Sequence, residues 1–375
     1  MLFAIAIILF LNGVITSAYT LMNTAETTTF WAMLSVNFVF YLGMTQTGII
    51  FSAIMRIAKS EWGRYFSRLG EILTLSFIPV AFITFLIIYI GGAENLFYWA
   101  SPSLSHGHDA GHVSPWLGKG LFLWRTIITM AAFYIMSYIY FRTSRIEENG
   151  AHVSYDIEKR LNLMAGFVMV FYIIANTNVA WDFGMMIVPH WESTIFPAYF
   201  WVGNIFAGTA FLFLISLLFL SHRGGKGVGK ERLDSMGKLL LGFTLLWTYM
   251  FWSQHIVIWY SDLPNLTRPL FKQMSGKYAI TFSTMILALF VLPFFTLIFR
   301  RIKLSISGLS IIAFIICIGI WTNRYLMILP VFKNGSELVL ATWTGISLIL
   351  AGLGVTLLSV ILFLRLFPKV TTIQG

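Results

Sequence analysis

Asp182, His190 and Glu192 fall within one short run, WDFGMMIVPHWESTIF (Trp181 to Phe196), which joins two strongly apolar stretches. Each of the three can accept or hold a proton, and the tryptophans beside them mark the zone where a bilayer meets water. A second constellation lies in TYMFWSQHIVIWYSD, where Trp252, His255 and Trp259 recur at spacings of three and four. That spacing predicts one shared helical face, with Ser253 and Gln254 adjacent and Asp262 at the end of the run. A neutral imidazole there both accepts and donates a proton, and flanking rings can sandwich a flat ring or an isoprenoid tail. The competing reading gives His255 a partner on a neighbouring helix within an aromatic belt.

Other polar residues are scattered through apolar sequence: Asn12, Asn37, Gln46, Glu71, Arg125, Asn176, Asn178, Asn204 and Arg324. Charge buried in lipid is expensive, so such residues are either paired or functional. Asp182, Glu192 and Asp262 are natural counter-ions for Arg125 and Arg324, which predicts an electrostatic cluster that either staples helices together or forms a proton exit. Glu71 follows Arg68 by three residues, which favours an intrahelical ion pair over a proton entry. SHGHDAGH (Ser105 to His112) holds three histidines and an aspartate. Glycine and alanine interrupt it without any helical ligand spacing, so a solvated loop is favoured and no metal site is expected. The glycine-rich GGKGVGKE (Gly224 to Glu231) lacks the phosphate-loop spacing and follows an apolar helix, so it reads as a flexible basic loop.

The elements that must position these residues are membrane spans. Of 375 residues, 58% are hydrophobic and 11% charged, and the mean hydropathy is +0.81, a composition foreign to soluble globular chains. The net charge of +10 comes from short basic blocks between apolar runs, which argues for membrane topology and against nucleic acid. Cys317 stands alone, which excludes a disulfide or a cysteine-ligated iron-sulfur cluster within this sequence. The first apolar stretch, from Leu2, lacks a basic leader and a cleavage site and is expected to be a retained span.

About ten windows are long enough to cross a bilayer: Leu2 to Leu21, Phe30 to Met55, Glu71 to Ile90, Leu121 to Phe141, Leu161 to Trp181, Ile195 to Leu220, Leu239 to Tyr260, Tyr278 to Phe299, Leu304 to Tyr325 and Leu340 to Leu366. No alternation of polar and apolar residues supports a β-barrel. Arginine and lysine collect in alternate loops, around Arg56 to Arg68, Arg142 to Arg160, Arg223 to Arg232 and Arg300 to Lys303, and again at Arg365 and Lys369. The positive-inside rule makes those loops and both termini cytoplasmic and places Trp181 to Phe196 on the outer face. The connections are too short to fold a separate core, so residues 1–375 read as one polytopic membrane domain.

Five segments in order, FSAIMRIAKSEWGRYFSRLGEILTL, LFYWASP, LFLWRTIITMAAFYIMSYIYFRTSR, AWDFGMMIVPHWESTIF and GKLLLGFTLLWTYMFWSQHIVIWYSDLP, resemble the NrfD/PsrC superfamily of quinone-linked membrane subunits. Within it they are most similar to the ActF-type subunits of bacterial alternative complex III, a quinol:cytochrome c oxidoreductase. The likeness runs from about Trp31 to Phe332. Two motifs carry it: Asp182 with Pro189, His190, Trp191, Ser193 and Thr194, and Ser253-Gln254 followed by Ile258-Trp259 and Leu263-Pro264.

The resemblance implies an all-α integral membrane protein of two four-helix bundles, residues 29–181 and 195–330, with flanking helices in 1–28 and 336–375. It further implies a bacterial cytoplasmic-membrane complex with a sister NrfD-like subunit, a periplasmic iron-sulfur subunit and multihaem cytochrome c subunits. Quinone or menaquinone would be the ligand, with no covalently bound cofactor in this chain. Asp182, His190, His255, Asp262 and Glu71 are then candidates for a proton path, Gln46, His255, Trp252 and Trp259 for quinone contact, and Arg125, Arg324 and Glu192 for electrostatic support. Several members of the superfamily carry a histidine in the second span where this sequence has Gln46. Glutamine can hydrogen-bond a quinone oxygen but cannot take its proton, which shifts the expectation toward proton handling or support. Two other classes suit the same features: a secondary transporter, although no paired glycine or proline interruptions mark two related halves, and a purely architectural subunit.

Overall fold

The structure is a computed structural model, and it describes residues 1–23, 27–100, 115–148, 155–219, 228–332 and 342–367. The histidine-rich Ser105 to His112, residues 224–227 of the glycine-rich loop, Arg223 and Lys369 lie outside the described residues. Among the described residues every regular element is helical, as lipid requires of a chain that must satisfy its own backbone.

The protein is an all-α integral membrane protein of about ten membrane helices, nine of which, among the described residues, are long and apolar enough to cross a bilayer. In order they are Leu2–Asn23, Thr28–Ile57, Glu61–Leu96, Lys119–Glu148, Tyr155–Ala180, Phe196–Phe219, Lys230–Ser261, Gly276–Leu297, Ile306–Phe332 and Trp343–Leu366. The seventh is the only one not among the nine long helices with strongly apolar windows. Its C-terminal half carries Ser253, Gln254 and His255. Spans two to five form one bundle and six to nine a second, while the first and tenth pack on each other alongside.

The second span is the axis of the molecule, with 94% of its most apolar window buried. It touches the third, fifth, sixth, ninth and tenth spans. Small residues make that possible, since without a hydrophobic drive between helices close backbone approach supplies the packing energy. A β-carbon on Gly48 would collide with the backbone of Gly70 in the third span, and one on Gly208 would collide with Thr47 from the sixth. Hydroxyls bond across the same seams: Thr74 donates to the Thr45 carbonyl at 2.7 Å, and Thr47 donates to that of Asn204 at 3.0 Å.

Several helices depart from ideal geometry at identifiable residues. The third span is ten residues longer at its start than its apolar window and breaks at Phe77, two residues before Pro79, whose ring blocks the preceding turn and removes a donor. The fifth span ends in a π-helical turn, Trp181–Met185, and the eighth carries another, Leu287–Val291, just before Pro293. Such bulges rotate the following side chains out of register and recur at functional sites. A short helix, Pro264–Met274, lies between spans seven and eight and packs against both and against the ninth. Apolar windows did not reveal it because its average character is polar and only Thr267 and Leu270 are buried.

Candidate functional site

The π-helical turn after the fifth span turns Asp182 fully inward. There Arg125, from the fourth span, donates through Nη2 to Oδ1, and its Nε lies 3.4 Å from Oδ2. Thr126 adds a 3.1 Å bond to Oδ2. The guanidinium also donates to the Trp116 carbonyl and lies over the Trp116 ring, 4.6 Å from its centroid. Both carboxylate oxygens of Asp182 are thus engaged by the fourth span. The arrangement is a charge-assisted clasp between two helices.

The remaining members of the expected electrostatic cluster do not join it. His190 and Glu192 are exposed, and His190 sits in a turn with φ 57°. Asp262 is exposed and ends the seventh span in the left-handed conformation, φ 47°, a role aspartate tolerates through its short polar side chain. Arg324 is fully buried in the ninth span without a carboxylate among its hydrogen-bond partners. The expectation of one cluster is therefore corrected to one closed ion pair, one isolated cation and exposed loop groups. The connector itself is anchored: Trp191 Nε1 donates to the Leu266 carbonyl at 3.1 Å and Ser193 Oγ to Gln254 Oε1 at 2.7 Å.

That second bond leads to His255. The buried face of the seventh span runs through Trp247, Phe251, Gln254 and Ile258, with His255 at its edge. Trp252 and Trp259 each follow a buried residue by one position, about 100° round the helix, and are 55% and 65% exposed. Trp252, His255 and Trp259 share one side of a continuous helix, as their spacing predicts, but of them only His255 is buried. His255 Nδ1 lies 2.7 Å from the Phe251 carbonyl. A carbonyl only accepts, so Nδ1 carries the proton. Nε2 has no partner among the described residues, nor has the Gln254 amide nitrogen. Both residues line a small cavity of about 20 Å³ that Tyr199, Gln273, Phe282 and Asn323 also line. Phe196, Gln273 and Met327 separate it from a larger cavity of about 250 Å³, walled by Trp191, Pro330 and Val331 and carrying Arg268 and Lys272 from the short helix.

Gln46 lies elsewhere, in a buried hydrogen-bond ladder that crosses the two bundles. Asn176 donates to Gln46 Oε1 at 2.9 Å, Asn204 donates to Asn176 Oδ1 at 2.9 Å, and Arg324 Nη2 donates to Asn204 Oδ1 at 3.1 Å. Arg324 also donates to the Phe200 carbonyl at 2.6 Å and to Asn323 Oδ1 at 3.0 Å, with its carbon 3.9 Å from the centre of the Phe200 ring. Asn323 in turn donates to the Tyr199 hydroxyl at 2.6 Å, which returns the ladder to the His255 cavity. Gln46 is a rung of this ladder, with its carbonyl already engaged.

Comparison with protein-family models and with curated proteins finds no match.

At the opposite, arginine-rich end, Glu71 accepts from Arg68 and from Ser52, both at 2.7 Å, and Ser52 lies 3.2 Å from the Tyr140 hydroxyl. The Arg68 pair spans three residues of one helix, as the sequence spacing favours. A cavity of about 540 Å³ opens beside it, lined by Arg56, Lys59, Arg64 and Glu158 among others. Among the described residues no group of three or more histidine, cysteine or acidic side chains converges as a metal site would require. Ser193, Tyr199, Gln273 and Asn323 were not anticipated as site residues. Ser193 and Gln254 stand in the two quoted motifs, but nothing in one sequence tells that the two motifs touch.

Proposed function

We propose that the chain is a quinol-handling membrane subunit of a quinol:electron-acceptor oxidoreductase, built like the ActF-type members of the NrfD/PsrC superfamily. One observation carries the reading. His255 holds an unpartnered Nε2 toward a small polar cavity that abuts an apolar one of about 250 Å³, the combination of greasy walls and few oriented polar groups that defines a small-molecule site. The larger cavity suits a flat ring, and the imidazole suits its hydroxyl.

In this scheme a quinol loses two protons and two electrons. His255 accepts one hydroxyl proton through the open lone pair of Nε2. The second proton passes to water, and the electrons pass to iron-sulfur and haem centres in partner subunits. The exposed His190 and Glu192 and the anchored Trp181–Phe196 connector supply a docking surface for those partners on the outer face of a bacterial cytoplasmic membrane, with both termini inside. Asp182 serves as a structural anchor in this scheme, because both its oxygens are held in the clasp with Arg125 and Thr126.

A purely architectural role is the second reading, favoured by the Asp182 clasp and by the Gln46 Oε1 bond that ties Gln46 into the ladder. Quinol:cytochrome c turnover per assembled complex separates the two for His255→Ala. A fall of about 100-fold or more, the scale of a lost general base, supports the proposed role, and unchanged turnover would leave this chain as scaffold.

A further inference from the structure

The His255 cavity has a fixed hydrogen-bonding polarity. The Phe251 carbonyl holds the His255 proton on Nδ1, so the neutral ring presents a bare lone pair at Nε2. Ser193 engages Gln254 Oε1, which leaves the amide nitrogen, a donor only, as the group facing the cavity. Tyr199 accepts from Asn323 and keeps its own proton to donate. Gln254 and Tyr199 are 2% and 3% exposed, so no bulk water competes for these groups. His255, Gln254 and Tyr199 thus offer one acceptor and two donors, beside the Gln273 and Asn323 amides, in a space of about 20 Å³, roughly the room a single oxygen needs.

We propose that Ser193 and Gln254 make this cavity a reader of hydroxyl groups, so that the site selects the reduced, hydroxyl-bearing form of a ring compound over its carbonyl form. This rests on the quinol reading above. A hydroxyl matches the set: its proton goes to His255 Nε2, and its two lone pairs take the Gln254 and Tyr199 donors. A quinone carbonyl can take both donors but sets its lone pairs against that of Nε2, leaving the imidazole unpaired in a buried site. Sites built around a buried polar partner discriminate strongly for this reason. The other source of the same chemistry is a water molecule, which also donates and accepts.

Ser193 acts at one remove, as a positioning residue. In this arrangement its hydroxyl donates to Gln254 Oε1 and holds that end of the amide at the connector. Ser193→Ala frees the amide to turn over and present its oxygen, which accepts and no longer pairs with a second acceptor beside His255. Ser193, which does not itself line the cavity, thereby sets its redox preference.

The test uses the full chain in lipid nanodiscs under anaerobic conditions. Tryptophan fluorescence quenching follows binding of a short-tailed naphthoquinol, its oxidised quinone and the quinol dimethyl ether. The expected result is quinol binding about ten-fold tighter than quinone or dimethyl ether, a preference within about two-fold in Ser193→Ala, and its recovery in Ser193→Thr, which keeps the hydroxyl. Equal binding of quinol and quinone by the unaltered chain overturns the hydroxyl preference, leaves the quinol pocket standing and assigns the cavity to water. Binding of none of the three overturns the pocket itself. A preference that persists in Ser193→Ala overturns the positioning role.

Discussion

Replacing Asp182 with asparagine removes the negative half of the Arg125 clasp while keeping the side chain's size and its bond from Thr126. Asp182 is fully buried and the Arg125 side chain is 6% exposed, so neither charge is shielded by solvent. Breaking a buried pair strands the surviving ion, at a cost of about 3–5 kcal/mol. Two contacts moderate the value here. Arg125 keeps its bond to the Trp116 carbonyl and its place over that ring, and a cation over a desolvated indole retains about 2 kcal/mol of attraction. The expected loss is therefore near the lower bound, about 3 kcal/mol. Equilibrium unfolding in mixed micelles reads it directly, and the paired variant Arg125→Leu with Asp182→Leu isolates the coupling. Removing both charges at once should cost at least about 2 kcal/mol less than the sum of the two single leucine changes. A loss below about 1 kcal/mol for Asp182→Asn, or leucine changes that simply add, would refute the view that the two ions depend on each other.

Two further outcomes follow from packing and from the ladder. Gly48→Ala drives a methyl into the Gly70 backbone and should lower stability by about 1–3 kcal/mol, whereas Gly166→Ala, which meets nothing within 4 Å, should leave it unchanged or raise it; thermal unfolding of the pair checks both. Asn204→Leu takes one acceptor from Arg324 and breaks the ladder between the bundles, so it should cost about 2–4 kcal/mol and lower the fraction of chains whose ninth span is inserted, measured by glycosylation-site mapping of its two ends.

The spans were legible because a bilayer imposes one rule on every crossing segment, and long apolar runs meet it visibly. Their ends were less so. The third helix starts at Glu61 rather than Glu71, since a helix extends past the apolar window into an amphipathic stretch where hydropathy carries no signal. The same limit hid Pro264–Met274. His255 stood out as a lone imidazole among rings, and its burial follows from its position beside Gln254. Trp252 and Trp259 were misplaced because three- and four-residue spacing defines a stripe without saying whether it faces protein or lipid. Arg324 shows the harder limit. Charge pairing was the natural expectation for a buried arginine, yet its partners are two amides, a carbonyl and the Met327 sulfur, contacts set by helix packing that leave no periodic trace.

The direction of the ladder bears on how the chain is made. Gln46, Asn176 and Asn204 precede Arg324 in sequence by 120 residues or more, so the acceptors leave the ribosome before the charge does. When the ninth span enters lipid its arginine meets a prepared seat, built by the second, fifth and sixth spans. Were the order reversed, the cation would wait unpaired in hydrocarbon for its partners to be synthesised. Chain order thus spares the insertion machinery its costliest step, and the two bundles are joined in the order in which they are translated.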